Sequence, residues 1–155
     1  NVAEGSALFQ PVSRQHSVVT EQLKSKFRDG FNSELGSLTW RKLWLARDTN
    51  GNIRGHIDLR HHATEYSFHR VLLGMGVEIN ARKQGLGERL VKNVTEFCYE
   101  SNRIDYLDLN VLSENLPARN LYLKCGFKVL GETPDYYRID GRSVSEITMS
   151  ICTKN

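Results

Sequence analysis

Hydrophobic positions change their period several times along the chain, and each change marks an element. From Ser17 to Phe31 apolar residues recur at Val18, Val19, Leu23, Phe27 and Phe31, close to every fourth position. That spacing predicts an amphipathic helix whose stripe packs on a core, with Gly30 as a place to bend. Upstream, Ala7–Ser13 reads as a short strand confined by Pro11 to an edge, and residues 1–6 read as a loose end. Trp40–Leu59 reads as a hairpin, because LWLARD and IRGHIDL flank Thr49-Asn50-Gly51-Asn52 and Asn-Gly is a strong hairpin turn signal. The run VLLGMGVEI, residues 71–79, is almost continuously apolar, the pattern of a strand buried on both faces in mid-sheet. Leu86, Leu90, Val91, Val94, Phe97 and Cys98 then line one face of a helix ending near Glu100–Arg103.

Tyr106–Leu112 alternates as a further buried strand. Asn115–Gly126 is a short helix, with Ser113 or Asn115 as its cap, Pro117 in the first turn and Gly126 as its stop. Phe127–Leu130 opens another strand. Tyr136–Ile139 and Ser145–Ile151 form a last hairpin around Asp140-Gly141, with Ile147, Met149 and Ile151 on one face. No repeat, low-complexity tract or linker interrupts the order, so residues 1–155 read as one domain.

Composition changes this picture little. Apolar content of 39% and charged content of 25% are ordinary for a soluble globular chain. A net charge of +3, with pI near 8.8, is weaker than a dedicated nucleic-acid binder shows and suits uptake of a polyanionic cofactor. Cys98, Cys125 and Cys152 are odd in number and far apart, which reads as reduced, mostly buried thiols in a cytoplasmic protein. No membrane span or signal peptide is visible, and the start at Asn1 rather than Met points to a native start further upstream. His56, His61, His62 and His69 lack ligand spacing; adjacent His61 and His62 would point to opposite sheet faces. No metal is expected, and these histidines read as surface or loop residues.

The chemistry concentrates at Arg82-Lys83-Gln84-Gly85-Leu86-Gly87, between the central strand and its helix. First-turn N–H groups lack intrahelical partners, the helix dipole is positive there, and glycine admits a ligand close to the backbone. A dinucleotide-binding reading wants a third glycine where Leu90 stands, and a phosphate-loop reading wants a Gly-Lys-Ser/Thr triplet that the chain lacks. The pattern V-x-x-x-x-R-x-x-G-x-G is met by Val77, Arg82, Gly85 and Gly87. It resembles the pyrophosphate-binding motif of the GNAT superfamily of N-acetyltransferases, which use acetyl-CoA. A tight strand-to-helix turn with no ligand is the plain alternative.

One strand downstream, N-x-x-A-x-x-L-Y-x-x-x-G-F is filled by Asn115, Ala118, Leu121, Tyr122, Gly126 and Phe127. This resembles the second signature of the same superfamily, in the same order. The two motifs and the strand between them span residues 71–127, while the first 40 residues match only in outline. The resemblance implies a single α/β (α+β) domain: a mixed, mostly antiparallel sheet with a splayed central strand pair and flanking helices. It also implies roles for residues. Backbone groups around Val77 and Ile79 would pair with the pantetheine arm. Backbone amides of Arg82, Lys83, Gln84, Gly85, Leu86, Gly87 and Glu88 would bind the pyrophosphate, with Arg82 and Lys83 adding charge. Asn115 and Ala118 would contact the pantetheine region, and Tyr122 would protonate the departing CoA thiolate.

The general base is less legible. Some protein N-terminal acetyltransferases in the superfamily carry glutamate where this chain has Asn110, and an amide takes no proton. Glu78 beside the cofactor strand is the first candidate, followed by His69 and Asp108. A lysine-like amine is neutral in only about one molecule in 2,500 at pH 7, whereas an α-amine near 7.7–8.0 costs about 1 kcal/mol to deprotonate, so a weak base suits an α-amine. The expected activity is transfer of acetyl from acetyl-CoA to an amine by direct attack in a ternary complex. The alternative is an acyl-CoA-binding sensor without turnover. The expected partners are a small-molecule or protein amine, with no nucleic acid or membrane, in a monomer or homodimer.

Overall fold

A computed structural model describes residues 19–155, so the edge strand expected at Ala7–Ser13 and the loose end at residues 1–6 lie outside the described residues. The elements, in order, are α1 (Glu21–Phe31), β1 (Arg41–Arg47), β2 (Ile53–His61), β3 (Arg70–Val77), α2 (Leu86–Ser101), β4 (Tyr106–Leu112), α3 (Leu116–Lys124), β5 (Lys128–Ile139) and β6 (Arg142–Cys152). Single 3₁₀ turns occupy Glu65–Ser67 and Ile79–Ala81. The strands form one sheet in the order β1-β2-β3-β4-β6-β5. Only β3 and β4 run parallel; every other neighbouring pair is antiparallel. The mixed, mostly antiparallel sheet with flanking helices is the expected fold class.

One sheet face carries the core. Ile57, Leu59, Val71, Leu73, Leu107, Leu109, Ile147 and Met149 meet the α2 stripe of Leu90, Val91, Val94 and Cys98, all of them buried. Burying each large aliphatic side chain is worth roughly 1.5–3 kcal/mol, so this face carries most of the packing energy. The opposite face is polar. The run 71–79 is therefore not buried on both faces: Val71 and Leu73 are buried, while Leu72 and Gly74 are half-exposed beside Asp58 and Arg60. It is also shorter, because a 3₁₀ turn begins at Ile79.

Three further expectations change. Helix α1 begins at Glu21, where the Thr20 hydroxyl accepts the Leu23 N–H, and Ser17 and Val18 lie outside the described residues. Its stripe stays largely exposed, with Val19 at 69% and Phe31 at 45%. Gly30 is a packing glycine: a β-carbon there would stand 2.7 Å from the Thr39 carbonyl oxygen and 2.8 Å from Arg41 Cβ. The last hairpin is far longer than its sequence suggests, since β5 runs unbroken from Lys128 to Ile139. Register shifts between Val129 and Gly131 and between Thr133 and Tyr137 absorb the Gly-Glu-Thr-Pro-Asp stretch. His61 is buried, not a surface residue. Its ring packs on Trp40 and Phe68, and its nitrogens meet the Gly36 N–H and the Arg70 carbonyl.

Candidate active site

Strand β3 is paired unequally on its two sides. Against β2 it is in register from Val71 to Val77. Against β4 it pairs only through Arg70↔Tyr106, Val71↔Leu107 and Leu72↔Asp108, then the two strands part. The Glu78 N–H donates to the Arg54 carbonyl at 2.8 Å, continuing the β2 ladder. Backbone direction alternates along a strand, so Leu73, Met75 and Val77 turn their N–H and C=O groups toward the parted side. The Val77 carbonyl already accepts Arg82 Nε at 3.1 Å. The parted edge thus offers unpaired backbone in line with the sheet, the arrangement that accepts an added extended strand.

The start of α2 lies just past this edge. Gly85 is its cap residue, left-handed at φ +76, and no side chain caps the helix. Among the described residues a β-carbon at Gly85 would meet nothing within 4 Å. Lys83 is also left-handed, at φ +59, a conformation uncommon for a residue with a β-carbon. The Arg82 side chain folds back onto β3, and Gln84 Nε2 donates to the Asn80 carbonyl at 3.1 Å. The first-turn amides at Leu86, Gly87 and Glu88 sit at the positive end of a 16-residue helix, a setting that suits an anion.

Helix α3 closes the other side. A β-carbon at Gly87 would lie 2.9 Å from Leu121 Cδ2 and 3.7 Å from Met75 Cε, so this glycine lets α3 dock against α2 and β3. Lys124 Nζ adds an ion pair to Glu88 at 2.7 Å. Asn115 Oδ1 caps α3 by accepting the Ala118 N–H at 3.3 Å, and Ala118 packs against the core. Tyr122 is buried at 6% exposure with its ring against Phe127. Burial, with Cys125 adding to it, pushes the phenol up to about 12. Among the described residues Arg119 Nε is buried without a hydrogen-bond partner. An orphaned donor of this kind costs about 1–3 kcal/mol, so it has capacity for an acceptor. A ligand with phosphate and amide oxygens along this edge therefore fits the residues present.

The structure separates the candidate bases. Glu78 lies past the end of β3, and its carboxylate is ion-paired with Arg54, which also holds Asp48. Asp108 is buried and accepts from Arg70 Nε, Arg70 NH2 and Ser150 Oγ, with His62 Nε2 at 2.9 Å. Burial opposes its ionisation, but these partners prevail and hold the carboxyl below the usual range. His69 precedes β3, roughly 25 Å from Val77 along an eight-residue strand. Asn110 is exposed on β4 and accepts the Thr148 hydroxyl at 3.2 Å. Two residues are not singled out for the site by the sequence: Arg119, inside a motif gap, and His56, which reads as a surface or loop histidine but lies half-buried within β2.

Comparison with known proteins bears on the family and the fold. The model of the Acetyltransferase (GNAT) family matches residues 13–127. The L-amino acid N-acetyltransferase AaaT of Escherichia coli (strain K12) is 26% identical over 101 residues, 65% of this chain and 62% of that enzyme. The chain thus matches less than two thirds of that relative's length. Among solved structures, smu.2055 from Streptococcus mutans UA159 superposes with a TM-score of 0.78 at 20% identity, covering 94% of this chain and 84% of the other. A GNAT superfamily phosphinothricin acetyltransferase from Sinorhizobium meliloti, in complex with AcCoA, gives 0.69 at 16% identity, covering 74% of this chain and 62% of that one.

Proposed function

The chain belongs to the acetyltransferase (GNAT) family, and from that premise we propose that it transfers acetyl from acetyl-CoA to an amine. The observation that carries the proposal is the parting of β3 from β4 after Leu72 and Asp108, beside the glycine-capped start of α2. The cosubstrate supplies an activated acetyl thioester; the chain's own residues bind it, stabilise charge and handle protons. Val77 and its neighbours hold the pantetheine arm along the edge, with Asn115 and Ala118 at the start of α3. Ile79 leaves this line, because it opens the 3₁₀ turn and its carbonyl accepts the Arg82 N–H at 3.4 Å. The amides from Lys83 to Glu88 bind the pyrophosphate, beside the charge of Arg82.

Nucleophilic attack by a neutral amine forms the C–N bond and breaks the C–S bond in a ternary complex. An N–H on the parted edge, at Leu73 or Met75, stabilises negative charge developing on the carbonyl oxygen. Tyr122 faces the departing sulfur. A phenol held at about 12 does not surrender its proton outright to a thiolate whose conjugate acid lies near about 8.5. Tyr122 therefore donates a hydrogen bond to the thiolate, which leaves as the anion and takes a proton from water afterward. The acceptor is an α-amine or another weakly basic amine. The acceptor class in the name of the E. coli relative supports this choice.

Thermal melting with acetyl-CoA tests the proposal. At a hundred times its dissociation constant the ligand should add roughly 2.7 kcal/mol, several degrees of Tm. Gly85→Glu places a side chain and a negative charge in the anion position, so its melting should not respond to the ligand. Thiol release across an amine panel then distinguishes an enzyme from an acyl-CoA sensor. An unmoved wild-type melting curve at millimolar acetyl-CoA would falsify the cofactor assignment.

A further inference from the structure

Glycines line the polar side of the parted strand. Gly74 and Gly76 point to the face away from α2, and β2 side chains lean into the space their β-carbons would fill. A β-carbon at Gly74 would stand 2.7 Å from Asp58 Oδ1 and 3.3 Å from Arg60 NH1; one at Gly76 would stand 2.6 Å from His56 Cε1. His56 is directly opposite Gly76 in the register, so its imidazole lies across β3 toward the edge that β4 has left. The other face is taken up by α2 and α3, with Met75 and Leu121 both packed at Gly87. An amine therefore reaches the parted edge from the side on which His56 stands.

The charged groups around His56 are already committed. Asp58, its neighbour on the same face, lies 3.4 Å from Arg60 and 3.5 Å from Arg41 of β1. Glu78 is held by Arg54, and Asp108 by Arg70, Ser150 and His62. Resting on the proposed acetyl transfer, we propose that His56 is the catalytic base for the acceptor amine. As the C–N bond forms, the amine N–H proton passes to an imidazole nitrogen. The electron pair of the C–S bond leaves with the sulfur under the Tyr122 hydrogen bond, and the imidazolium releases its proton to water. A neutral imidazole accepts the N–H proton from a weakly basic amine that is already uncharged, whereas a lysine-like amine at about 10.4 first has to lose its ammonium proton. The acceptor class and the base thus agree.

The experiment compares His56→Ala and His56→Gln with wild type, using the best amine from the panel. The expected result is a fall of roughly 10²–10⁴ in kcat/KM for the acceptor, with the acetyl-CoA melting shift retained. Wild-type kcat/KM should decline on the acid side as an imidazole protonates, and the variants should lose that limb. Added imidazole should restore part of the His56→Ala rate, a response that a packing role would not produce; should alanine unsettle the fold, glutamine keeps the bulk and reads the same loss. Full turnover in either variant overturns the assignment, as does a loss traceable to weaker acetyl-CoA binding. A large loss in Glu78→Gln with the His56 variants intact moves the base to Glu78 and also overturns it. A wild-type protein that neither binds acetyl-CoA nor releases thiol removes the function proposed above, and this inference with it.

Discussion

The two sides of β3 contrast. Toward β2 the strand is zipped in register from Val71 to Val77, with Leu59 opposite Leu73 and Ile57 opposite Met75. Toward β4 the register stops at Leu72, although β4 itself remains fully paired with β6 from Tyr106 to Leu112. Neither strand is short of partners overall; what is withheld is one shared ladder. The zipped side and the α2 core hold β3 in place. The parted side is thereby free to keep backbone groups unsatisfied, which a lone strand would not tolerate. Stability and the proposed binding are thus assigned to opposite edges of the same strand.

Each substitution below acts on one side of that contrast. Tyr122→Phe touches only the parted side. It keeps the ring against Phe127 and removes the hydroxyl, so turnover should fall roughly 10²–10³-fold, the worth of one positioned donor, while Tm and acetyl-CoA affinity hold steady. Single-turnover rates with a confirmed acceptor check this, and a Phe variant at full rate would return Tyr122 to packing alone. The phenol stays protonated through neutral pH. Its stabilising contribution is fully present below the ordinary tyrosine value near about 10 and is lost as pH rises through about 12.

Asp108→Asn strikes the last rung before the strands part. Its carboxylate ties β3 through Arg70 to β6 through Ser150. Chemical denaturation should register a loss of roughly 2–3 kcal/mol, discounted because Arg70 is partly exposed. The folded carboxyl is held below its ordinary range, so its contribution is full above about pH 3.9 and is lost as pH falls through the folded value. The variant's stability should therefore depend less on acid pH than wild type does; an unchanged acid limb would show that Asp108 is no rivet. The smallest effect concerns the helix starts. Asn115→Ala removes the α3 cap and should cost about 1 kcal/mol, read as a Tm decrease without acetyl-CoA. α2 has no side-chain cap to lose.

Elements with a strong local signal were legible in the chain. β4 occupies Tyr106–Leu112 and α2 buries the predicted Leu90, Val91, Val94 and Cys98. The Asn50-Gly51 turn joins β1 and β2, closed by the Asp48 N–H on the Asn52 carbonyl at 2.9 Å. The family was legible from the residues of two short motifs, and the fold class followed from it. Misreadings arose where local and distant signals diverge. Gly131 and Pro134 look like a break, yet pairing with β6 carries β5 through them with shifted register. His61 carries no mark of burial, and its position follows from Trp40 and Phe68 arriving from other segments.

The sequence by itself determined the periods of its helices and strands, the glycine turn from Arg82 to Gly87 and the Asn115–Phe127 signature. These depend on φ/ψ preference, side-chain spacing and residue type within a few positions. The family resemblance already implied a splayed strand pair; only the tertiary structure decided that the parting comes after Leu72, that Asp108 is encircled by donors, and that His56 lies over Gly76. Those outcomes depend on register between segments tens of residues apart. A one-residue slip exchanges the two faces of a strand, and no local pattern specifies which neighbour a side chain will lean across.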